Sequence, residues 1–417
     1  MLNISDTDAG KAWVSQFKID DQALAMKLID GMSLVSHDDF IERMRDLILL
    51  RAEKSKFPIG LYAEREVQKW NGNPNRLLKE TKGKKNRRAY GGGPMPVAPM
   101  RRDSPSVGSE GLVSWLITEL CREYPKNFIS HPGPNKIRKE KVRKFIIVTD
   151  FIGSGQRAFD YLQSAWRVAS VKSWRSYKLI QFEVLAYSGT DIGVKVVKKH
   201  KSHPAVDLVM SCPIIDSEFN HELANKLRQV CRHYDPIDHD DIASLGYKGT
   251  GALLAFSHGC PNNVPRLIHK KGKNWSPLFP ARVTAKVRSI FGDREGASAL
   301  HTRLEMLGEK YMPSEAWVKK TTVAGRKMLL LLTTLKGAPR FDEALSRKTR
   351  LIIPEIRLLV QKAQSWGLID EERRLTKEGS YQLKHARSYK RCKTNLTSEA
   401  NQMYYPKSLR VPYNASS

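Results

Sequence analysis

The chain has 417 residues, 41% of them apolar, which is enough for two or three domains with cores of their own. Lysine and arginine number 71 against 43 acidic residues, and the resulting net charge of +28 favours binding to a polyanion, above all nucleic acid. The chain has neither an eighteen-residue apolar run nor a signal-like N-terminus, which predicts a cytoplasmic protein without membrane contact, and its five scattered cysteines predict neither disulfides nor a zinc site.

Residues 1–55 are predicted to form helices that pack as an extension on the next domain. Their apolar residues recur at helical spacing, from Trp13 and Phe17 to Phe40 and Met44. A first strand is predicted after them, at residues 58–63.

Residues 71–103 are rich in glycine, proline and basic side chains, and we expect a mobile loop that buries no apolar surface. Such a loop is either a solvated insertion or a clamp on phosphate groups. The candidate nucleic-acid contacts in it are Lys84, Lys85, Arg87 and Arg88.

A strand, a glycine bend and a helix are predicted in succession at residues 145–166. An apolar β-branched run ends in Thr149 and Asp150, and the Gly153-Ser154-Gly155 bend precedes a helical pattern. In this order the acid would accept from ribose hydroxyls, while backbone N–H groups at the helix start would bind a phosphate. The candidate phosphate-binding residues are Gly153, Ser154, Gly155, Gln156 and Arg157.

The structural alternative is an ordinary strand-to-helix turn, with the glycines present for geometry and Ser154 as the N-cap. Further strands are predicted at residues 177–187, 194–197 and 206–215. The resulting alternation of strands and helices predicts an α/β fold with a central, mainly parallel sheet flanked by helices.

Two histidine-containing segments follow. The cluster of acids and histidines at residues 233–241 favours an exposed turn over a metal site, because its spacing fits no metal-ligand pattern. His258 stands at the end of a predicted strand, where a structural role is slightly favoured over a catalytic one.

The C-terminal region resembles a winged helix. Helices are predicted at residues 323–335, 340–345 and 354–366. Residues 367–379 are predicted to form a β-hairpin wing and the start of a further helix capped by Thr376. In DNA-binding members the third helix enters the major groove, and the alternative is a winged helix that contacts protein. The candidate nucleic-acid contacts are Lys348, Arg350, Arg357, Lys362, Arg373, Arg374 and Lys377.

Residues 148–156 (Val-Thr-Asp-Phe-Ile-Gly-Ser-Gly-Gln) resemble the signature of type I phosphoribosyltransferases. In that family two acids precede a small-residue loop that binds the 5′-phosphate of phosphoribosyl pyrophosphate. The resemblance implies that Asp150 is the second acid and that Thr149 stands in the catalytic position of the first. Gly153 stands where many members have an acid or a threonine.

Two further segments extend the resemblance over most of residues 55–290. Residues 104–111 precede a second helix, and by resemblance their loop holds pyrophosphate through Gly108, Ser109, Glu110 and Gly111. The family carries a flexible hood at the place of residues 131–144. Residues 249–266 and 274–282 are similar to the closing segment of a bacterial subgroup of phosphoribosyltransferase-like proteins.

The predicted organisation is a helical extension (1–55), a phosphoribosyltransferase-like domain (56–295), a winged helix (296–387) and a basic arm (388–417). This pairing resembles effectors found beside retron reverse transcriptases in bacterial anti-phage operons. The resemblance implies a reverse transcriptase and its RNA–DNA product as partners, phosphoribosyl pyrophosphate or a nucleotide as substrate, and substrate-bound Mg²⁺. The alternative function is a non-catalytic transcription regulator that senses a nucleotide and binds DNA.

Overall fold

The structure, a computed structural model, describes residues 3–53, 55–83, 87–95, 109–237, 242–282, 284, 291, 323–349 and 351–388. The chain divides into two compact units, Met1–Asp293 and Arg294–Ser417.

The first unit combines helices with short and long strands. Among its described residues the helices are α1 (Asp8–Val14), α2 (Ile19–Asp30), α3 (His37–Ala52), α4 (Ser109–Glu123), α5 (Pro134–Lys139), α6 (Gln156–Trp166), α7 (Ala169–Ser176), α8 (Asp191–Lys198), α9 (Ile215–Glu218), α10 (His221–His233) and α11 (Arg266–His269). The strands are β1 (Ser33–Val35), β2 (Ile59–Ala63), β3 (Lys69–Trp70), β4 (Asn73–Pro74), β5 (Lys79–Glu80), β6 (Ala89–Tyr90), β7 (Phe128–Ser130), β8 (Lys144–Ile152), β9 (Gln181–Gly189), β10 (Ala205–Ser211) and β11 (Leu254–Phe256).

Five of the described strands form a parallel sheet in the order β10-β9-β8-β2-β7. The register places Ala63 of β2 beside Val148 of β8, and Thr149 of β8 beside Ala186 of β9. Both central strands consist largely of buried apolar residues, as is typical of a sheet covered by helices on both faces. The predicted α/β fold with a mainly parallel sheet is confirmed.

The N-terminal helices share their core with the last part of the first unit. The rings of Trp13 and Phe17 pack edge-on against Trp275, with centroids 5.9 and 5.1 Å apart. β1 also pairs in parallel with β11. These helices therefore belong to the same hydrophobic cluster as the residues that follow the main sheet.

Several predictions differ from the structure. Residues 33–35, in the region predicted as helical, form β1. The strands predicted at 177–187 and 206–215 are the shorter β9 and β10, because α7 continues to Ser176 and α9 begins at Ile215.

Residues 194–197, predicted as a strand, lie in α8, whose first turn is capped by Thr190 Oγ1 accepting from Gly193 N (2.9 Å). Within residues 71–103, the prediction that no apolar surface is buried is wrong, because Leu78 and Ala89 lie in the core next to β8. Short antiparallel pairs, β3 with β4 and β5 with β6, hold this segment.

The second unit has the helices and the hairpin of a winged helix. Its described helices are α12 (Val323–Thr334), α13 (Asp342–Thr349), α14 (Ile353–Ser365) and α15 (Lys377–Ser388). An antiparallel bridge between Ile369 and Leu375 closes the wing. Leucines of α12 pack against Ile356 and Leu359 of α14 in one core. No described helix of either unit combines the length and the apolar character needed to cross a bilayer.

Candidate active site

The candidate site lies at the carboxyl ends of β2 and β8, where the sheet's connections change direction. From β2 the chain continues through α4 to β7 on one side, and from β8 it continues through α6 to β9 on the other. Open α/β sheets bind ligands in the crevice at such a switch point. Contacts of Arg157 with Glu64 and Glu110 bring the start of α6 together with the end of β2 and the start of α4.

β8 is longer than the sequence predicts. It continues past Asp150, because Phe151 and Ile152 still pair with Ser188 and Gly189 of β9. Asp150 therefore lies within β8, close to its carboxyl end and to the glycine bend. Pairing with β9 holds the backbone on either side of it.

The glycine bend after β8 packs closely against the start of α8. Gly155 has a φ of +76°, and a Cβ there would lie 2.3 Å from the carbonyl oxygen of Gly193. A Cβ on Gly153 would lie 2.4 Å from Asn263 Oδ1. Thr190 Oγ1 donates a hydrogen bond of 2.6 Å to Gly153 O. Packing alone thus requires glycine at position 155, whereas glycine at position 153 leaves room for the side chain of the buried Asn263.

The first turn of α6 offers backbone donors to an anion. Its N-cap is Gly155, which has no side chain to satisfy the first N–H groups. Ser154, the N-cap in the structural alternative, lies one residue earlier and accepts from Gln156 N at 3.2 Å. Gln156 and Arg157 are exposed, so the helix start is open to solvent. Partial positive charge at such an end suits a phosphate.

Asp150 is held as an ionised acid. Its Oδ1 accepts from Phe151 N (2.8 Å), and its Oδ2 lies 3.3 Å from His258 Nε2. Burial favours the protonated form, but the hydrogen bond and charge of His258, with the charge of Arg157, outweigh burial and lower the pKa of Asp150. His258, which is stacked on Phe256, therefore positions the carboxylate. With its side chain 17% exposed, Asp150 remains within reach of a ligand.

Glu64 belongs to the site and was not predicted from the sequence. It follows β2 directly, and its N–H donates to Val148 O (2.9 Å), which continues the pairing of β2 with β8. Its Oε2 accepts a hydrogen bond of 2.6 Å from Thr149 Oγ1 and lies 3.7 Å from Arg157 Nη2. The structure therefore places a second carboxyl beside Asp150.

The two carboxyls have opposite electrostatic environments. Burial raises the pKa of Glu64 to about 7, and the charges of Asp150 and Glu110 act in the same direction. Arg157 and the hydrogen bond from Thr149 offset this only in part. One acid of the pair is thus ionised over the whole physiological range, while the other titrates near neutral pH.

The second predicted loop reaches the same crevice from α4. Ser109, Glu110 and Gly111 form the first turn of that helix, and Gly108 lies outside the described residues. Glu110 Oε1 lies 2.6 Å from Arg157 Nη2, and a hydrogen bond from Ser109 helps to lower the pKa of Asp150. The structure thus brings together two segments that the sequence separates by about forty residues.

The segment at the place of the expected hood, residues 131–144, is mostly structured. It contains α5 and leads into β8. His131 is buried, and its Nε2 accepts from Ala63 N (3.0 Å) at the end of β2. Burial, with the charge of Arg65, lowers the pKa of His131 to about 4, so the ring is neutral at physiological pH. His131 thereby fixes the backbone that presents Glu64.

The basic residues predicted to contact nucleic acid are distributed over both units. In the first unit Arg87 and Arg88 line a surface cavity of about 620 Å³ together with Arg138 and Trp174. Burial, and to a lesser extent the charge of Arg88, lowers the pKa of Arg138, so these two like charges lie close enough to interact. Lys84 and Lys85, and in the second unit Arg350, lie outside the described residues.

In the second unit, acidic groups accompany the predicted basic contacts. Asp342 binds both Arg357 (2.7 Å) and Arg373 (2.7 Å). Glu371 and Glu372 of the wing line a surface cavity with Arg373. Lys348 donates to the carbonyl oxygen of Ala338 at 3.1 Å. Lys362, Arg374 and Lys377 are exposed, and Arg357 is exposed as well, although it is paired with Asp342.

Two family models together match most of the chain. The model of the PRTase-CE family matches residues 11–281, and the model described as wHTH-PRTase associated matches residues 329–411. Neither the curated proteins nor the solved structures include a significant match.

Proposed function

Because the chain belongs to the PRTase-CE family, we propose that it is a phosphoribosyltransferase-like enzyme that acts on phosphoribosyl pyrophosphate or on a nucleotide. The observation that carries the proposal is the ionised Asp150 beside a glycine bend and the solvent-exposed N-terminus of α6. The acid would accept from ribose hydroxyls, while residues 153–157 would bind the 5′-phosphate. These are the two ends by which a sugar phosphate is held.

The proposed reaction is displacement at the anomeric carbon. The bond from this carbon to the acceptor forms, the bond to the pyrophosphate oxygen breaks, and its electron pair leaves with pyrophosphate. Positive charge develops on the sugar, so catalysis depends on positioning and on electrostatic stabilisation. Asp150 is suited to both, because its lowered pKa keeps it ionised. By resemblance, Ser109 to Gly111 at the start of α4 would hold the pyrophosphate.

Magnesium would enter with the substrate. Within the described ranges no three His, Cys, Asp or Glu side chains are arranged to hold a metal ion. Mg²⁺ commonly binds through one or two carboxylates plus substrate phosphates. Asp150 provides a carboxylate of the preferred type at this edge of the sheet, and the ion would neutralise charge on the pyrophosphate.

The proposed biological setting is a bacterial retron anti-phage system. In it a reverse transcriptase and its RNA–DNA product would hold the enzyme as the effector. The net charge of +28, the arginine-lined cavity of Arg87 and Arg88, and the winged-helix domain support a nucleic-acid partner.

A second candidate is a regulator that senses a nucleotide without turning it over. It is favoured by Thr149, which replaces the acid expected at that position, and by the winged helix. A DNA footprint that a phosphorylated ligand releases would support this function. Glycosidic cleavage of a nucleotide would use the same crevice, with water as the acceptor.

The deciding experiment is mass spectrometry of nucleotide pools in cells that express the wild type or Asp150→Ala. We expect a change in phosphoribosyl pyrophosphate or in one nucleotide class with the wild type, and loss of both this change and any toxicity with the variant. Asp20→Ala, at an exposed position of α2, is the matched control and should behave as the wild type. A folded Asp150→Ala protein that retains the effect would remove Asp150 from the mechanism.

A further inference from the structure

Glu64 occupies the space beside Thr149, the residue that stands where the first acid is expected. The hydroxyl of Thr149 lies 2.6 Å from Glu64 Oε2 and 3.4 Å from Asp150 Oδ1. A hydroxyl has one proton to donate, and the shorter contact shows that Glu64 receives it. The lone pairs of Thr149 Oγ1 are then left to accept from another group.

A purely structural acceptor at this position would not need a charge. An amide oxygen accepts the same hydrogen bond, whereas a buried carboxylate carries a large desolvation cost. Glu64 is only 5% exposed, and its neighbour Arg157 lies closer to Glu110 (2.6 Å) than to Glu64 (3.7 Å). An ionisable group is thus present at a buried position where ionisation is unfavourable without a ligand.

We propose that Glu64 is a positioning residue of the sugar site and, acting through Thr149, replaces the missing first acid. Glu64 orients the Thr149 hydroxyl so that its oxygen accepts from one ribose hydroxyl, while Asp150 accepts from the other. The inference rests on the proposed function, because it concerns the same ligand. The expected ligand is a ribose 5-phosphate whose 2′- and 3′-hydroxyls are both free. A 2′-deoxy analogue should therefore bind more weakly.

Ionisation of Glu64 should then control binding. The carboxylate holds the Thr149 proton more strongly than the neutral acid does, and this makes the Thr149 oxygen a better acceptor. Since the pKa of Glu64 is raised to about 7, affinity should increase as the pH rises through neutrality. The phosphate of the ligand titrates in the same range, so a variant without the carboxyl must serve as the reference.

The test is calorimetric titration of the full chain with ribose 5-phosphate, and with phosphoribosyl pyrophosphate plus Mg²⁺, at about pH 6 and about pH 8. Relative to Glu64→Gln, the wild type should gain about tenfold in affinity between these pH values. At the higher pH, Glu64→Gln and Thr149→Val should each bind about tenfold more weakly than the wild type. Thr149→Ser keeps the hydroxyl and should bind as the wild type does.

The double variant Glu64→Gln with Thr149→Asp separates positioning from fold maintenance. It moves the acid from β2 to β8 and should recover most of the lost affinity. The inference is overturned if Asp150→Ala abolishes binding while folded Glu64→Gln binds with the affinity and pH dependence of the wild type. Absence of binding by the wild type itself would instead overturn the proposed function.

Discussion

The carboxyls of Glu64 and Asp150 differ because of their donors. Asp150 receives hydrogen bonds from Phe151 N and His258, which stabilise its negative charge. Glu64 receives one from Thr149, and its burial is compensated only in part by Arg157. Carboxyl pairs whose environments separate their pKa values are typical of sites where the two acids have different roles. This separation is the main electrostatic feature of the crevice.

Sequence analysis was able to identify only one of these acids. Asp150 lies between a β-branched run and a glycine bend, which is a local pattern. Glu64 lies 85 residues from Thr149 in the chain, and the surrounding Ala-Glu-Arg-Glu segment has no motif. The one feature of the sequence that pointed to Glu64 was its position directly after a predicted strand. The pairing of β2 with β8 is a long-range contact, and no local spacing encodes it.

Glu64→Gln should stabilise the protein above neutral pH. A carboxyl whose pKa is raised in the folded state favours folding below its ordinary pKa of 4.5, and this contribution is lost as the pH rises through about 7. The loss is on the order of 3 kcal/mol, and glutamine avoids it while still accepting from Thr149. Thermal unfolding at about pH 5 and about pH 8 should show the variant gaining stability over the wild type at the higher pH. A variant that is less stable at both pH values would contradict the assigned environment.

At the scale of elements, the periodicity of the sequence located most of the strands and helices, but it assigned the wrong type to some of them. The valines of residues 194–197 favour a strand by β-propensity. They form part of α8 because Thr190 and Asp191 provide a helix start and the apolar side chains still face the core at helical spacing. The order of the strands in the sheet, and hence the switch point, depends on contacts that a single sequence does not display.

Thr190 links two elements of the site. Its Oγ1 accepts from Gly193 N to cap α8 and donates to Gly153 O in the glycine bend. Thr190→Val keeps the shape but leaves both partners unsatisfied, which should lower the free energy of unfolding by about 2 kcal/mol. Affinity for ribose 5-phosphate should also fall, because the bend loses its anchor.

Thr190→Ser is the matched control, since it keeps the hydroxyl at the same position. Chemical denaturation and calorimetry on the three proteins provide both measurements. Equal stability and affinity for Thr190→Val and the wild type would show that the bend is held by packing against Gly193 and Asn263 alone.

At the scale of the whole molecule, the excess of positive charge is not matched by a uniformly basic surface. The wing carries Asp370, Glu371 and Glu372, which would repel phosphate groups. In the first unit, Arg88 and Arg138 lie close enough for their charges to interact. The sequence indicated basic residues in both units, but only the structure distinguishes arginines paired with a carboxylate from arginines grouped together.

The contrast between paired arginines in the second unit and grouped arginines in the first predicts where nucleic acid binds. Arg87→Ala with Arg88→Ala should reduce the slope of log affinity against log salt by about two, one for each lost phosphate contact. Arg357→Ala with Arg373→Ala removes the same number of arginines, but both lie against Asp342, so the slope should change by less than about one. Fluorescence anisotropy with an RNA–DNA hybrid and with duplex DNA over a salt series measures both slopes. A larger effect of the second pair would place the main contact on the winged helix and would favour the DNA-binding regulator over the enzyme held by an RNA–DNA product.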